Sequence, residues 1–293
     1  MGNNDILKKY LAYDRKVRVF VIDATNMVKE ARKIHGLSNV ATAALGRTMM
    51  ITTIMSNMLK EKEHRITVQI KGEGPLKSIV VCGDNSLNMK GYVSNPNVEI
   101  PLNDKNKLDV KGAIGEGFLN VIKDIGLKDP YVGYSELVSG EIAEDFAYYF
   151  VTSEQTPCAV SLGVNICKEN EVEKAFGYLI EPLPECDDNI IDILETINAS
   201  IESVTNLAID LQNIDDIAKT ITGDNNIKCI EEKEPKYECD CSEKRIDRTI
   251  IALGKKEAVD AAKNNNNILE VCCNFCNKVY KYDIEKINGL FEK

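Results

Sequence analysis

The stretch "VCCNFCNKVY", residues 271–280, places three cysteines within five positions near the end of a chain of 293 residues. Upstream, "ECDCS" at 238–242 supplies another pair, so the spacing is C-x-C, then 31 residues, then C-x-x-C. Four thiolates from two short loops can close a tetrahedral zinc site, because each loop presents two sulfurs from one turn. The pattern predicts one zinc ion per chain, held by Cys239, Cys241, Cys273 and Cys276.

Cys272 is an extra thiol beside the second pair and an alternative ligand to Cys273. Cys273 is favoured because it has the standard two-residue spacing with Cys276. A disulfide closed across Asp240 alone would have unfavourable geometry and would be easily reduced. Thiolates are also the form of cysteine that peroxide attacks. The site is therefore predicted to be a redox switch.

The segment that carries these cysteines is small. The 62 residues from Glu232 onward contain few large apolar side chains and five of the ten cysteines. Structural zinc typically supplies on the order of 10 kcal/mol to such units. Loss of the metal is therefore expected to unfold the segment.

A helical segment with an acidic back precedes it. Within residues 188–222 one apolar face is formed, in steps of three and four, by Ile190, Leu194, Ile197, Ile201, Val204, Ala208 and Leu211. Its Ile, Val, Thr and Asn content lowers its intrinsic helix stability, so it needs a neighbour in order to stay folded. Two interpretations remain open, a packed core helix or a docked and releasable linker. Residues 223–238 are polar, contain Pro235 and are predicted to form a hinge.

The rest of the chain mixes strand and helix patterns. Strands are predicted at 17–25, in a hairpin at 65–84, at 89–100 and in two runs that end near Pro182, and helices at 38–61 and 141–153. The predicted class is α+β, with a core domain at 1–183, a helical linker at 184–231 and a zinc-binding redox-switch domain at 232–293.

Charge and composition exclude several functions. The formal net charge is −10, and residues 181–240 alone contain sixteen Asp or Glu and four Lys. No basic stripe or long apolar run is present, so neither nucleic acid nor a membrane is an expected partner. The start of the sequence lacks the pattern of a secretory signal, which favours a cytoplasmic protein whose clustered thiols bind metal. With two histidines and no nucleophile motif, the chain is not expected to be an enzyme.

Several stretches resemble the redox-regulated holdase family called the thirty-three-kilodalton chaperonin, or heat-shock protein thirty-three, over nearly the full length. They are "ATAALGR" (41–47), "GEGPL" (72–76), "GYVSNP" (91–96), "GFLNVIKDIGLKDPYVG" (117–133), "VSGEIAEDFAYYF" (138–150), "SEQTPCAVSLGV" (153–164), "ECDCS" (238–242) and "CNFCNKVYKYD" (273–283). The chain departs from the family pattern in its additional thiols, which are Cys82, Cys158, Cys167, Cys186, Cys229 and Cys272.

The resemblance implies a chaperone that works without ATP and is inactive while reduced and zinc-loaded. It implies that oxidation links Cys239 with Cys241 and Cys273 with Cys276. It further implies that zinc then leaves, the linker unfolds, and a homodimer holds unfolded client proteins. Cys272 leaves the pairing of the second disulfide open.

Two other functions compete with this one. A thiol-disulfide oxidoreductase would use Cys273 and Cys276, but such enzymes place the pair at a helix N-terminus after a strand. Here a predicted strand, "KVYKYD", follows the pair. A static zinc-ribbon interaction module would need no redox response, and it gives no reason for the C-x-C pair. Zinc content and its response to peroxide distinguish the three functions.

Overall fold

The computed structural model describes residues 4–292. It divides into two compact units, the first reaching to Tyr237 and the second beginning at Glu238. Residues 184–237 therefore belong to the first unit, and the division by contacts does not fall at the predicted boundaries after 183 and 231. The functional division into core, linker and switch domain stays a prediction.

An antiparallel five-stranded sheet forms one layer of the first unit. Its strands are β1 (Ile6–Ala12), β2 (Val17–Asp23), β8 (Ala159–Ile166), β9 (Val172–Pro182) and β10 (Lys228–Lys233). Their order is β10-β1-β2-β9-β8. The strands predicted from alternating apolar residues are confirmed as β2, β8 and β9. This sheet is called the first sheet.

Strand β10 corrects the hinge predicted at 223–238. Its main chain pairs with β1, while its polar side chains form ion pairs such as Glu232 with Lys8 at 3.3 Å. A strand at a sheet edge needs no alternating apolar pattern, because its side chains remain largely in water. The sequence pattern therefore gave no sign of it.

The second sheet has six strands. They are β3 (Arg65–Gly72), β4 (Ser78–Asp84), β5 (Asn88–Val93), β6 (Gly117–Asp124), β7 (Tyr131–Glu136) and β11 (Lys236–Tyr237), in the order β11-β5-β4-β3-β6-β7. The predicted hairpin is confirmed as β3 and β4. The short β11 pairs with β5 in parallel, and the Tyr237 hydroxyl donates to the Gly91 carbonyl at 2.8 Å.

Helix α2 fills the core of the first unit. In chain order, the helices that precede the linker are α1 (Thr25–His35), α2 (Asn39–Asn57), α3 (Val110–Ile114) and α4 (Ala143–Ser153). Ser38 caps α2, and its side chain accepts a hydrogen bond from the Ala41 amide at 3.3 Å. Almost every α2 residue is buried, Met49 and Met50 fully, so its methionines pack the core.

The single helix predicted over 188–222 is wrong, because three helices occupy that range. These linker helices are α5 (Asp188–Ser200), α6 (Val204–Leu211) and α7 (Ile214–Thr222). The side chains of Ser203 and Asn213 cap α6 and α7, and Gln212 between them has φ of 57°. Local capping therefore interrupts the helix. Of the predicted apolar face, Ile190 and Leu194 on α5 and Val204 and Ala208 on α6 are buried, whereas Leu211 is exposed.

The linker helices lie on one face of the first sheet. Ile190, Leu194, Val204 and Ala208 are buried in one cluster with residues of β1, β2 and β9. Gly223 ends α7 in the left-handed conformation, with φ of 72°.

The second unit is a β-hairpin with three helices. Its elements are α8 (Glu243–Leu253), α9 (Lys255–Lys263), β12 (Ile268–Cys272), β13 (Val279–Asp283) and α10 (Ile284–Leu290). Within the described residues 238–292, its buried hydrophobic core consists of seven residues, namely Ile246, Ile250, Ala258, Ala262, Tyr280, Tyr282 and Ile287. The strand predicted after the last cysteine pair is confirmed as β13. Among the helices of residues 4–292, none is long and apolar enough to cross a membrane.

Candidate metal centre

Two short loops of the second unit carry the four predicted ligands. Cys239 and Cys241 lie just before α8, and Cys273 and Cys276 lie in the turn that joins β12 to β13. The turn is closed by hydrogen bonds from the Cys273 amide to the Lys278 carbonyl at 3.0 Å and from the Asn277 amide to the Cys273 carbonyl at 2.8 Å. Each loop therefore holds two thiols close together.

The four sulfurs of Cys239, Cys241, Cys273 and Cys276 lie within 4.8 Å of one another. This group is called the four-cysteine cluster. A tetrahedron of sulfurs about 2.3 Å from a zinc ion has edges of roughly 3.8 Å. The fold thus places four soft donors at the spacing that such a tetrahedron requires, and the residues fit a zinc ion.

Two short sulfur contacts join the two loops. Cys241 is 3.4 Å from Cys276, and Cys239 is 3.7 Å from Cys273. All ten cysteines lie in the described residues 4–292, and no disulfide joins any two of them. Because every pair in the cluster lies within 4.8 Å, these distances do not select one disulfide pairing, and the predicted pairs within each loop stay predictions.

The thiols of the cluster differ in their surroundings. Burial raises the pKa of Cys239 and Cys276. Burial acts the same way on Cys241, but hydrogen bonds from the Tyr280 hydroxyl and the neighbouring thiols outweigh it and lower its pKa. The Tyr280 hydroxyl donates to the Cys241 sulfur at 3.1 Å.

Sequence reasoning missed Tyr280. The ring belongs to the small core of the second unit, and the Lys278 ammonium lies 4.9 Å from its centroid. Tyr280 stands opposite Val271 in the hairpin, a register that spacing alone does not reveal. An aromatic residue in the strand that follows C-x-x-C was the available signal.

Cys272, the alternative ligand, is exposed and is not part of the cluster. It ends β12 opposite Val279, and consecutive side chains of a strand point to opposite faces. This arrangement favours Cys273 as the ligand.

The five cysteines of the first unit lie outside the cluster. Cys229 is exposed, whereas Cys82, Cys158, Cys167 and Cys186 are half-buried. Burial raises the pKa of the Cys158 thiol to about 12, so that thiol stays protonated at neutral pH.

Comparison with known proteins agrees with this architecture. The family model described as Hsp33 protein matches residues 5–283. A protein named 33 kDa chaperonin from Acetivibrio thermocellus is 45% identical, over 97% of this chain and 95% of its own. One of the same name from Clostridium perfringens is 42% identical, over 99% and 92%.

A solved structure is similar as well. The crystal structure of the 33 kDa chaperonin (heat shock protein 33 homolog) from Thermotoga maritima superposes with a TM-score of 0.90 at 36% identity, over 99% of this chain and 98% of that one. Fold and site together define an α+β protein of the chaperone class with a four-cysteine cluster suited to metal. The chain belongs to the Hsp33 family.

Proposed function

We propose that this protein is a redox-regulated holdase that needs no ATP, protects unfolding proteins from aggregation under oxidative or heat stress, and is not an enzyme. The observation that carries the proposal is the four-cysteine cluster in a chain of the Hsp33 family. Ten cysteines without a disulfide among them suit a reducing compartment, so we place the protein in the cytoplasm.

Cys239, Cys241, Cys273 and Cys276 would hold one zinc ion. The ion would hold the two loops together and keep all four sulfurs as thiolates. The chain's own contribution is to bring these sulfurs within 4.8 Å while leaving three of the four residues half-buried, within reach of a small oxidant.

Oxidation would then form disulfides between Cys239 and Cys241 and between Cys273 and Cys276, and zinc would leave. The second unit depends on a core of seven buried residues, so its fold would be lost with the metal. The active form would be a homodimer that binds unfolded or partly unfolded clients.

Release of the linker helices would supply the client surface. The sheet face beneath them carries Val19, Val21, Phe176 and Ile180, each at most 1% exposed while the helices are docked. Undocking would uncover these side chains, and exposed apolar surface of this kind binds unfolded chains.

The test uses the reduced, zinc-loaded protein and hydrogen peroxide at heat-shock temperature. Zinc release is followed with a chromogenic chelator, and suppression of aggregation of an unfolded test protein is measured in the same samples. We expect about one zinc per chain to leave as suppression appears, and reductant to reverse the thiol oxidation. Zinc that stays bound, or that leaves without holdase activity, would instead identify a static zinc module.

The oxidoreductase alternative receives no structural support. Cys273 and Cys276 lie in a hairpin turn between two strands and not at the N-terminus of a helix. The helix dipole that activates the first thiol of such enzymes is therefore missing from this pair.

A further inference from the structure

The four sulfurs of the cluster are not equivalent, because one of them accepts a hydrogen bond from a phenol. The Tyr280 hydroxyl lies 3.1 Å from the Cys241 sulfur. Tyr282, the other tyrosine of the strand, donates instead to the Asp247 carboxylate at 2.7 Å. The hydroxyls of the two tyrosines in β13 therefore donate to different groups, a sulfur and a carboxylate.

Tyr280 is well placed to keep this contact. Its side chain is packed in the core of the second unit, with the residue 8% exposed. The Lys278 ammonium over the ring face draws electron density from the ring, which makes the hydroxyl a better donor.

We infer that Tyr280 is a positioning residue for the redox switch, which shields the Cys241 sulfur and directs peroxide to Cys239 or Cys276. The inference rests on the proposed function. In the zinc-loaded protein all four sulfurs would be thiolates, so protonation would not distinguish them. A hydrogen bond to a thiolate withdraws charge from sulfur, and a thiolate with less charge is a weaker nucleophile. Cys273 is shielded in another way, because it is buried.

The chemistry has two steps. A thiolate sulfur attacks one oxygen of hydrogen peroxide, the O–O bond breaks, and hydroxide leaves and takes up a proton to become water. The sulfur loses two electrons to peroxide and becomes a sulfenic acid. A neighbouring thiolate then attacks the sulfenic sulfur, so that an S–S bond forms and the hydroxyl group leaves as a second water after protonation.

The same hydrogen bond also stabilises the metal-loaded site. Groups that hold metal ligands by hydrogen bonds typically contribute 10- to 100-fold to metal affinity. Removing the Tyr280 hydroxyl should therefore loosen the metal and expose Cys241 to oxidant at the same time.

The experiment compares the full-length protein with Tyr280→Phe, which keeps the ring and removes the donor. Tyr282→Phe is the matched control, because it makes the same change two residues away and breaks a hydrogen bond that does not reach sulfur. Lys278→Met removes the cation above the ring and should give an intermediate result. Each protein is reduced, loaded with zinc or cobalt, and checked for its fold by circular dichroism.

Three measurements test whether Tyr280 acts on the Cys241 sulfur. For Tyr280→Phe we expect zinc affinity to fall about 10-fold or more against a competing chelator. We expect the sulfur-to-cobalt absorption band to move to longer wavelength, and sulfenic acid trapped at limiting peroxide to appear at Cys241. In the wild type it should appear at Cys239 or Cys276.

The inference is overturned if Tyr280→Phe and Tyr282→Phe give the same cobalt band and the same trapping pattern. It is also overturned if Cys241 is the first sulfur trapped in the wild type. A wild type that keeps its zinc under peroxide would refute the proposed function instead. The cobalt band would still show whether the hydrogen bond reaches the metal-bound sulfur.

Discussion

At the scale of single residues, the groups around a thiol determine its reactivity and whether it belongs to the four-cysteine cluster. Cys158 packs against the main core of the first unit, and burial raises its pKa to about 12, so it is a poor nucleophile. The exposed Cys272 adjoins a cluster ligand in sequence and yet is not part of the cluster. Neighbouring positions in the chain thus carry thiols with different roles.

We predict that Cys273→Ser and Cys272→Ser behave differently. Cys273→Ser removes a sulfur from the cluster, so zinc should be lost to a moderate chelator. Cys272→Ser should retain about one zinc per chain, because four sulfurs remain. Zinc analysis after dialysis against the chelator measures both, and equal zinc loss in the two variants would contradict the assignment of Cys273.

The carboxyl of Asp5, in the first unit, is another group whose pKa is changed by its surroundings. Its carboxylate accepts hydrogen bonds from the amides of Asn26 at 2.7 Å and Met27 at 2.6 Å, at the start of α1. Burial outweighs these bonds and, with the nearby charge of Asp23, raises the pKa of Asp5 to about 6. The folded protein therefore binds this proton more tightly than the unfolded chain does.

The pH dependence of the protein's stability follows from the raised pKa of Asp5. The contribution of Asp5 to stability is fully present below about pH 4 and is lost as the pH rises through about 6. With Asp5→Asn as the reference, the free energy of unfolding of the wild type relative to the variant should fall by up to about 3 kcal/mol from pH 4 to pH 7. Urea titrations across this range test it, and a difference that stays flat or rises would contradict it.

At the scale of elements, the contact between α6 and β8 depends on a glycine. A Cβ built at Gly163 would lie 2.7 Å from Thr205 Cγ2 and 2.9 Å from Val204 Cγ1, both on α6. Contacts below 3 Å force the helix to shift. The strand itself would not suffer, because Val is a good strand former.

Gly163→Val is therefore expected to loosen the linker helices while the protein is still reduced and zinc-loaded. Amide hydrogen exchange over residues 184–222 should become several-fold faster, and partial holdase activity should appear without oxidant. Gly289→Ala is the control, because nothing lies within 4 Å of its added Cβ. Exchange that is unchanged in Gly163→Val would show that α6 does not depend on this contact.

Local sequence patterns did not predict every feature of the helices and strands. The apolar repeat predicted four buried residues on α5 and α6, namely Ile190, Leu194, Val204 and Ala208, but Leu211 is exposed and the breaks between the helices were not predicted. Those breaks depend on side-chain caps at Ser203 and Asn213, which compete with helix continuation. Strand β10 was missed because an edge strand owes its place to main-chain pairing with β1.

At the scale of the whole molecule, the two units differ in what stabilises them. The first has two sheets around the buried helix α2 and a core of more than forty residues. The second has seven buried residues and the four-cysteine cluster. A core of that size rarely suffices without a metal or a disulfide.

Metal removal should therefore affect the units unequally. A strong chelator added to the reduced, zinc-loaded protein should abolish amide protection in α8–α10 and in β12 and β13, because the metal supplies most of their stability. Strands β3–β6 should keep their protection. Hydrogen exchange with mass spectrometry measures both, and a second unit that stays protected without metal would contradict the prediction.

The sequence by itself determined the class of fold, the four cysteines that lie together in one cluster, and the family. These depend on short-range patterns, since a metal site needs paired cysteines in tight turns and a buried element needs a regular apolar repeat. Spacing alone was therefore sufficient to name Cys239, Cys241, Cys273 and Cys276.

Only the tertiary structure decided which groups surround the four sulfurs of the cluster. The pairing of β12 with β13 brings Tyr280 to the Cys241 sulfur, and the pairing of β10 with β1 turns the expected hinge into a strand. Strand register and edge pairing join segments that are distant in the chain, and no local pattern encodes the partner. The chemistry of the site depends on those pairings as much as on its four thiols.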